Sequence, residues 1–256
     1  MFSRVVVLTD CVDVAENEIR AKIMCELKRN VLIEPAIHIH PFSIINGSFL
    51  LRLAVEAYPK DTLFYVVLNP ISLQTNRVVC ELQGGQIVIG RDTGVFSMLN
   101  LDGLIKKAYL LPYQPFVPFG GKNIYPFWVA KFMNQKKLSF KGLVNLPTKN
   151  LIELDTVQNH VLHIDNFGLI KTSMPPNFLL KNGIREGDKV NIFLNGLKHF
   201  EAMYSKRMMS KKTGEWVIYQ GSSLGGLIEI GQVRKHNTFE SLGISIGDNI
   251  FVELKK

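Results

Sequence analysis

The sequence has few cysteines, no long apolar run and no glycine-rich phosphate-binding loop. Cys11, Cys25 and Cys80 have no paired spacing, so neither a disulfide framework nor a zinc site is indicated. No apolar run reaches the roughly 20 residues that span a bilayer, and the opening MFSRVVVLTDC lacks a secretory cleavage pattern. Walker and dinucleotide-binding motifs are absent, since LQGGQIVIG has the pattern of a hairpin turn. We therefore expect a cytoplasmic protein.

The composition is that of a globular protein of one large or two modest domains. The 256 residues are 46% hydrophobic and 20% charged, so disorder is not expected. A formal net charge of +8 permits anionic partners without demanding any.

The first part of the chain alternates strand and helix patterns. Apolar runs at 4–8, 31–37 and 62–68 are separated by helical patterns that begin at Asp13 and Ile44. Asp13 and Glu16 have the spacing of a helix capping box. This alternation predicts a mostly parallel sheet flanked by helices.

The second part of the chain has short strand patterns separated by Gly and Asp turns. Two stretches resemble each other, GIREGDKVNIFL from Gly183 and GISIGDNIFVEL from Gly243. Two copies are too few for a repeat array, so we predict a small β-barrel or sandwich. The expected organisation is an α/β domain at 1–148, a linker at 149–156 and a β domain at 157–256.

Several short motifs resemble those of the S-adenosylmethionine hydroxide adenosyltransferases, a family whose relatives include fluorinating and chlorinating enzymes. They occur in the family's order, nearly end to end along the chain. They are LTDCV, with Thr9 and Asp10; HPFSIINGS, with Pro41, Phe42 and Gly47; VLNPISLQTNR, which ends at Arg77; RDTG from Arg91; PFGGKN from Pro118; HIDNFGL from His163; and GSSLGG from Gly221.

The resemblance implies a homotrimer whose ligand lies between the N-terminal domain of one subunit and the C-terminal domain of its neighbour. The implied ligand is S-adenosylmethionine or adenosine, and the implied reaction is displacement at C5′ of the ribose, with methionine leaving as a neutral thioether. No cofactor is implied, because the sulfonium is already an activated leaving group.

The resemblance also implies the binding residues. Asp10, at the end of a strand, would accept two hydrogen bonds from the ribose diol, although Asp at such a turn is also a common helix cap. Asp165 would bind the methionine ammonium, or else stabilise a turn. Phe42 and Phe167 would pack on the ligand or in a core. The predicted ligand-binding set also includes two serines. Ser223 lies in the second half of the chain, and Ser72 lies in the loop that replaces a glycine-rich segment of the family.

The hydrolytic residues of the family are incomplete in this sequence. Asn69 stands in place of the catalytic Asp, and an amide cannot take a proton from water as a carboxylate can. Gly120 stands where the family has His. Arg77 matches the second Arg of the family's pair, while Asn76 occupies the position thought to serve catalysis. We take Asn69 and Arg77 as the catalytic positions, and Leu169 replaces an Asn that contacts methionine.

Three functional alternatives follow from these replacements. The protein is a hydrolase that uses other residues such as Lys122 or Asp92, an enzyme with another nucleophile, or an adenosyl-binding protein without turnover. Halide transfer is not supported, because the halogenases carry Tyr where this chain has Asn69. A function of another class is nucleic-acid binding through the basic stretch YSKRMMSKK at 204–212. The simpler interpretation of this stretch is a solvated hairpin loop.

Overall fold

Two β-sheets organise the chain, one in each of two compact units, Met1–Leu154 and Asp155–Lys256. The computed structural model describes residues 1–68, 75–154, 159–235 and 242–255. The prediction of an α/β part followed by a β-rich part is confirmed at this level.

The first unit has eight strands and five helices among its described residues. Its strands are β1 (Arg4–Thr9), β2 (Leu32–Ile33), β3 (Ile37–His38), β4 (Thr62–Val67), β5 (Arg77–Leu82), β6 (Ile87–Arg91), β7 (Ile105–Leu110) and β8 (Val144–Leu146). Its helices are α1 (Val14–Glu26), α2 (Ile44–Ala57), α3 (Ser97–Leu101), α4 (Gly120–Asn123) and α5 (Tyr125–Met133), with a 3₁₀ turn at Thr148–Asn150.

This sheet is mixed rather than mostly parallel. Its order is β2-β1-β4-β6-β5-β7-β8, and β3 also pairs with β1. The pairings of β1 with β2, β3 and β4, and of β4 with β6, are parallel, whereas β5, β7 and β8 pair antiparallel with their neighbours. The tight turn at Gly84 and Gly85 joins β5 to β6, and a connection this short permits only an antiparallel pair.

Helices cover both faces of the first sheet. Alternate residues of β1 enter different apolar clusters, since successive strand side chains point to opposite faces. Val5 and Val7 pack with residues of α1 and α5, whereas Val6 and Leu8 pack with residues of α2 and α3. All six residues of β4 are buried, as expected for a strand inside a sheet that is covered on both faces. Its carboxyl end therefore lies between neighbouring strands and not at an edge of the sheet.

Two local predictions for this unit are wrong. Asp13 precedes α1 and makes no side-chain capping hydrogen bond. A capping side chain normally reaches the first turn from a residue with extended backbone, whereas Asp13 has φ of 66°. The strand expected over 31–37 forms as β2 and β3, and Pro35 between them has no N–H to donate to the ladder.

The second unit has seven strands and little helix among its described residues. The strands are β9 (Val161–Ile164), β10 (Ile170–Thr172), β11 (Lys189–Leu194), β12 (Leu197–Tyr204), β13 (Trp216–Gln220), β14 (Ile228–Gln232) and β15 (Ile250–Leu254). The remaining elements are helix α6 (Phe178–Lys181) and 3₁₀ turns at Met208–Ser210 and Ser223–Gly225. The strand order is β15-β11-β12-β13-β14-β10-β9.

Hydrogen bonds also join the two end strands of this sheet. His160, before β9, forms an antiparallel bridge with Asn249, before β15. The Val161 N–H donates to the Asp248 carbonyl at 2.9 Å, and the Gly247 N–H donates to the Val161 carbonyl at 2.8 Å. These bonds satisfy backbone groups that an open sheet would leave at its edges.

The two similar sequence stretches form the same turn. Asp188 Oδ2 accepts the N–H of Arg185 at 2.7 Å, and Asp248 Oδ2 accepts the N–H of Ser245 at 2.7 Å. The glycine before each aspartate has positive φ, 93° and 96°, which favours glycine there. The strands that follow the turns, β11 and β15, pair antiparallel with each other.

Candidate functional site

A cavity of about 400 Å³ lies beside the carboxyl end of β4. Its volume falls within the ~300–1,000 Å³ range of small-molecule sites. Its wall includes Cys11, which follows β1, and the last residues of β4. The rest comes from Arg77, Arg91 and the segment 116–125. The cavity therefore lies at the ends of the parallel strands, where ligands bind in sheets of this kind.

Two arginines stand side by side in the cavity wall. Arg77 begins β5 and Arg91 ends β6, and the two are directly opposite each other in the antiparallel register. Arg77 Nη1 donates to the Gln114 carbonyl at 3.4 Å, and Arg91 Nη1 donates to Thr75 Oγ1 at 3.3 Å. No aspartate or glutamate occurs among the described lining residues, so this wall carries positive charge.

Two stacked tyrosines form another part of the wall. Tyr125, the first residue of α5, stacks on Tyr65 of β4 with ring centroids 5.7 Å apart. Burial raises the pKa of Tyr125 to about 12, although the guanidiniums of Arg91 and Arg77 act in the opposite direction. Burial also raises the pKa of Tyr65, whose hydroxyl donates to the Gly121 carbonyl. Both hydroxyls are therefore protonated at neutral pH, and neither is an effective base there.

Gly120 and Gly121 differ in the space around them. A Cβ at Gly121 would come within 2.6 Å of Val67 Cγ1, so close packing requires glycine there. A Cβ at Gly120 would meet nothing nearer than Ile124 Cδ1 at 3.5 Å, which is an ordinary contact. The position that matches the family's His therefore has room for a side chain.

Asp10 precedes the lining residue Cys11, and its carboxylate accepts a hydrogen bond from the backbone of Phe42. The Asp10 N–H donates to the carbonyl of Val67, a lining residue, at 3.4 Å. Asp10 Oδ2 accepts the N–H of Phe42 at 3.1 Å. Phe42 has φ of 59° and its side chain is 59% exposed, so it is not a core residue of this chain. The carboxylate of Asp10 thus stabilises a strained turn that presents an aromatic ring.

Asp165 has a similar relationship to Phe167 in the second unit. Asp165 Oδ1 accepts the N–H groups of Phe167 and Leu169, each at 3.0 Å, and Phe167 is 65% exposed. The Leu169 side chain packs against Met208, Val217 and Val233, which explains an apolar residue at that position.

A buried ion network extends from Asp165 to Ser223. Lys171 Nζ lies 2.9 Å from Glu229 Oε1 and 3.8 Å from Asp165 Oδ2. Glu229 is buried and also accepts the hydroxyls of Tyr219 at 2.9 Å and Ser223 at 3.5 Å. Burial, and next the charge of Glu229, raise the pKa of Tyr219, so its hydroxyl stays a donor. The network therefore links the predicted residues Asp165 and Ser223 through Lys171 and Glu229.

The other sequence-based candidates are placed as follows. Arg77 and Gly120 both line the cavity, whereas Asn69 and Ser72 lie outside the described residues. The two alternative hydrolytic candidates are engaged elsewhere: Lys122 pairs with Glu18 at 3.0 Å, and the buried Asp92 accepts the Ile152 N–H.

Sequence reasoning missed the contributions of Cys11, Tyr65, Arg91 and Tyr125 to the cavity wall. The motif RDTG includes Arg91 but does not indicate its partner. The signal that could have found the pair is the hairpin itself, because a two-strand register with its turn at Gly84 and Gly85 places Arg91 opposite Arg77.

Metal and nucleic-acid binding gain no support. Within the described ranges, no group of three His, Cys, Asp or Glu side chains is placed to hold a metal ion. His38 instead contacts Glu16 at 2.7 Å. Tyr204, the first residue of the basic stretch, is buried and cannot stack on a base. Over the same part of the chain, no helix has the length and apolar character needed to cross a membrane.

Comparison with known proteins agrees with the motif resemblance. Residues 5–140 match the SAM hydroxide adenosyltransferase N-terminal domain. A curated relative from Methanocaldococcus jannaschii, named (R)-S-adenosyl-L-methionine hydrolase, is 24% identical over 146 residues, which are 56% of this chain and 54% of the relative. The match thus spans about half the length of that relative.

Two crystal structures share the fold. An uncharacterized conserved protein from Thermotoga maritima has a TM-score of 0.79 at 20% identity, with 97% of this chain and 99% of that chain covered. A conserved hypothetical protein from Thermus thermophilus has a TM-score of 0.72 at 20% identity, with both chains covered in full (100%). At these identities the likeness concerns the fold alone. The domain match, which covers more than half of the sequence, shows that the chain belongs to the SAM hydroxide adenosyltransferase family.

Proposed function

We propose that this protein binds S-adenosylmethionine or adenosine and hydrolyses S-adenosylmethionine slowly to adenosine and methionine. The observation that carries the proposal is the cavity within the matched domain, which is lined by Gly120, the position that matches the family's His, and by Arg77, which matches the second Arg of the family's pair. The hydrolase from Methanocaldococcus jannaschii to which the chain is similar supports the choice of substrate.

The reaction is a displacement at C5′ of the ribose. A water oxygen attacks C5′, the C5′–S bond breaks, and its electron pair stays on sulfur, which leaves as neutral methionine. The proton of the water passes to solvent. No cofactor is required, because a sulfonium needs no further activation. The protein contributes by holding C5′ and the attacking water in line.

Slow turnover follows from the chemistry of the cavity wall. The described lining residues offer no group that is an effective base near neutral pH, since Tyr125 titrates at about 12 and burial raises the pKa of the Cys11 thiol. General-base catalysis typically contributes ~10²–10⁴-fold in rate, so its loss slows the reaction without abolishing binding.

We assign Asp10 to the ribose diol. A carboxylate has about four acceptor sites, so the hydrogen bond from Phe42 is compatible with further donors. Phe42, whose backbone N–H this carboxylate accepts, has an exposed ring that we propose packs on the nucleoside. In the second unit, the proposed ligand contacts are Asp165, Phe167 and Ser223. The homotrimer implied by the family resemblance stays a prediction, and multi-angle light scattering would test it.

The test is incubation of the full chain with S-adenosylmethionine, followed by chromatography for adenosine and methionine. Asp10→Asn removes the charge with little change of shape. Asp13→Asn is the matched control, because Asp13 is exposed and makes no side-chain capping bond. We expect equal amounts of adenosine and methionine from the unmodified protein and the control, and a loss of at least tenfold in Asp10→Asn.

A second candidate function is binding without turnover, which the glycine at the family's His position favours. Saturable binding of S-adenosylmethionine with no product above the uncatalysed rate would establish it and reject hydrolysis. Failure to bind either S-adenosylmethionine or adenosine would reject both functions.

A further inference from the structure

A short irregular segment forms part of the cavity wall. The sequence PYQPFVP at 112–118, here called the strap, lies outside every helix and strand of the first unit. It follows the buried Leu111, whose N–H donates to the Arg77 carbonyl at 2.9 Å, and it precedes Phe119, the residue before α4. Both ends of the strap are therefore attached to the first unit, one beside β5 and the other at α4.

Between these ends the strap is held by few bonds. Three of its seven residues are prolines, and none of the four remaining backbone N–H groups has a hydrogen-bond partner among the described residues. Two of its carbonyls accept side-chain donors, Gln114 from Arg77 Nη1 at 3.4 Å and Pro118 from Asn123 Nδ2 at 2.8 Å. A segment with exposed backbone and few internal bonds rearranges locally at a small cost in free energy.

The strap presents aromatic side chains that the first unit leaves uncovered. Phe116 is 78% exposed although it lines the cavity. Tyr113 is 89% exposed and is not one of the described lining residues. A phenylalanine that borders a cavity while most of its surface faces solvent gains burial when it packs on a ligand there. The position of Phe116 thus favours movement of the strap towards an occupied cavity.

We propose that the strap closes over the ligand in this cavity and that Phe116 packs against the nucleoside. This inference rests on the proposed function, which supplies the ligand. Burial of the Phe116 ring offsets the entropy lost when the strap is ordered. Closure also excludes bulk water from C5′, so that only a bound water can attack it. Phe116 is then a ligand-contacting residue outside the motifs that resemble the family.

The first test compares the two aromatic residues of the strap. Phe116→Ala removes the ring that borders the cavity. Tyr113→Ala is the matched control, because its ring is at least as exposed and lies outside the described cavity wall. Isothermal titration of the full chain with adenosine should show a loss of about tenfold or more in affinity for Phe116→Ala. The affinity of Tyr113→Ala should stay within about twofold of the unmodified protein. Both rings are exposed, so both variants should melt at the temperature of the unmodified protein.

The second test detects the closure itself. Chymotrypsin cleaves after accessible aromatic residues, so cleavage after Tyr113 and Phe116 measures the accessibility of the strap. Saturating adenosine should slow both cleavages in the unmodified protein, since a closed strap fits a protease poorly. In Phe116→Ala, adenosine at a saturating concentration should no longer slow cleavage after Tyr113. Mass spectrometry of the fragments identifies the cleaved bonds.

The inference fails if Phe116→Ala binds adenosine as tightly as the unmodified protein, or if bound adenosine leaves cleavage of the strap unchanged. Either result leaves the proposed function standing. Protection that depends on protein concentration and not on adenosine would assign the strap to a contact between copies of the chain, and would also overturn closure over the ligand. Absence of adenosine and S-adenosylmethionine binding in the unmodified protein would reject the proposed function and this inference together.

Discussion

The ammonium of Lys171 lies 2.9 Å from Glu229 Oε1, in the interior of the second unit. The same ammonium lies 3.8 Å from Asp165 Oδ2, so one cation serves two carboxylates. Asp165 is the residue that the family resemblance assigns to the methionine ammonium. In this chain Lys171 already balances part of its charge.

Lys171→Met should destabilise the second unit strongly. The substitution keeps most of the side-chain volume but leaves the buried Glu229 without its cation, and breaking such a pair typically costs about 3 kcal/mol or more. Urea denaturation measures the loss. Lys171→Met combined with Glu229→Gln should recover part of it, because the uncompensated charge is then gone. Equal stability of Lys171→Met and the unmodified protein would contradict the role of the pair.

Asp92→Asn should change how stability depends on pH. Burial raises the pKa of the Asp92 carboxyl, and the N–H groups of Ile152 and Gly94 only partly offset this. A carboxyl whose folded pKa is raised favours folding when it is protonated, and this contribution is lost as pH rises through the folded value. The stability of the unmodified protein relative to Asp92→Asn should therefore fall as the pH rises from the ordinary carboxyl range towards neutrality. Paired denaturation curves across this range measure it, and a constant difference would contradict it.

Gly120→His should fold normally and raise the rate of hydrolysis. A side chain has ordinary contacts at this position, and an imidazole beside the cavity restores a group that can take a proton from water. We expect an increase of about tenfold or more in adenosine release. Gly121→Ala is the comparison, because its Cβ would overlap Val67 and should cost roughly 1–3 kcal/mol of stability. Unchanged turnover in a folded Gly120→His protein would count against this cavity as the place of the reaction.

Phe42→Gly should separate a structural role of this residue from a ligand role. The ring is largely exposed and the backbone has positive φ, so glycine relieves strain and loses little burial. We expect the stability to stay within about 1 kcal/mol of the unmodified protein. The affinity for adenosine should nevertheless fall, since the ring would pack on the nucleoside. Undiminished affinity would remove Phe42 from the proposed site.

Local patterns in the sequence predict much of this fold. The apolar run at β4 forms a fully buried strand, and the two Gly-Asp stretches form matching turns before β11 and β15. The turns form through hydrogen bonds within a few residues, and a continuous apolar run indicates a strand buried on both faces, so each pattern contains the information. The mixed orientation of the first sheet is not predicted, because it depends on where β5 is inserted, beside β6 and β7.

The candidate site is predicted less completely for a similar reason. Arg77 is recognisable by its place in a motif, but its partners Arg91 and Tyr125 come together only through strand register and the packing of α5. The capping-box spacing of Asp13 and Glu16 predicts a side-chain cap, and nothing in the sequence indicates a contact between Asp10 and Phe42. The structure gives Asp10 a backbone partner at Phe42 and gives Asp13 no capping bond.

The most direct test of the account is calorimetric titration of the full chain with S-adenosylmethionine, alongside the Asp10→Asn and Asp13→Asn proteins. The account predicts saturable heat for the unmodified protein and for Asp13→Asn, and at least a tenfold weaker affinity for Asp10→Asn. Heats equal to dilution in the unmodified protein, or identical isotherms for all three, would contradict it.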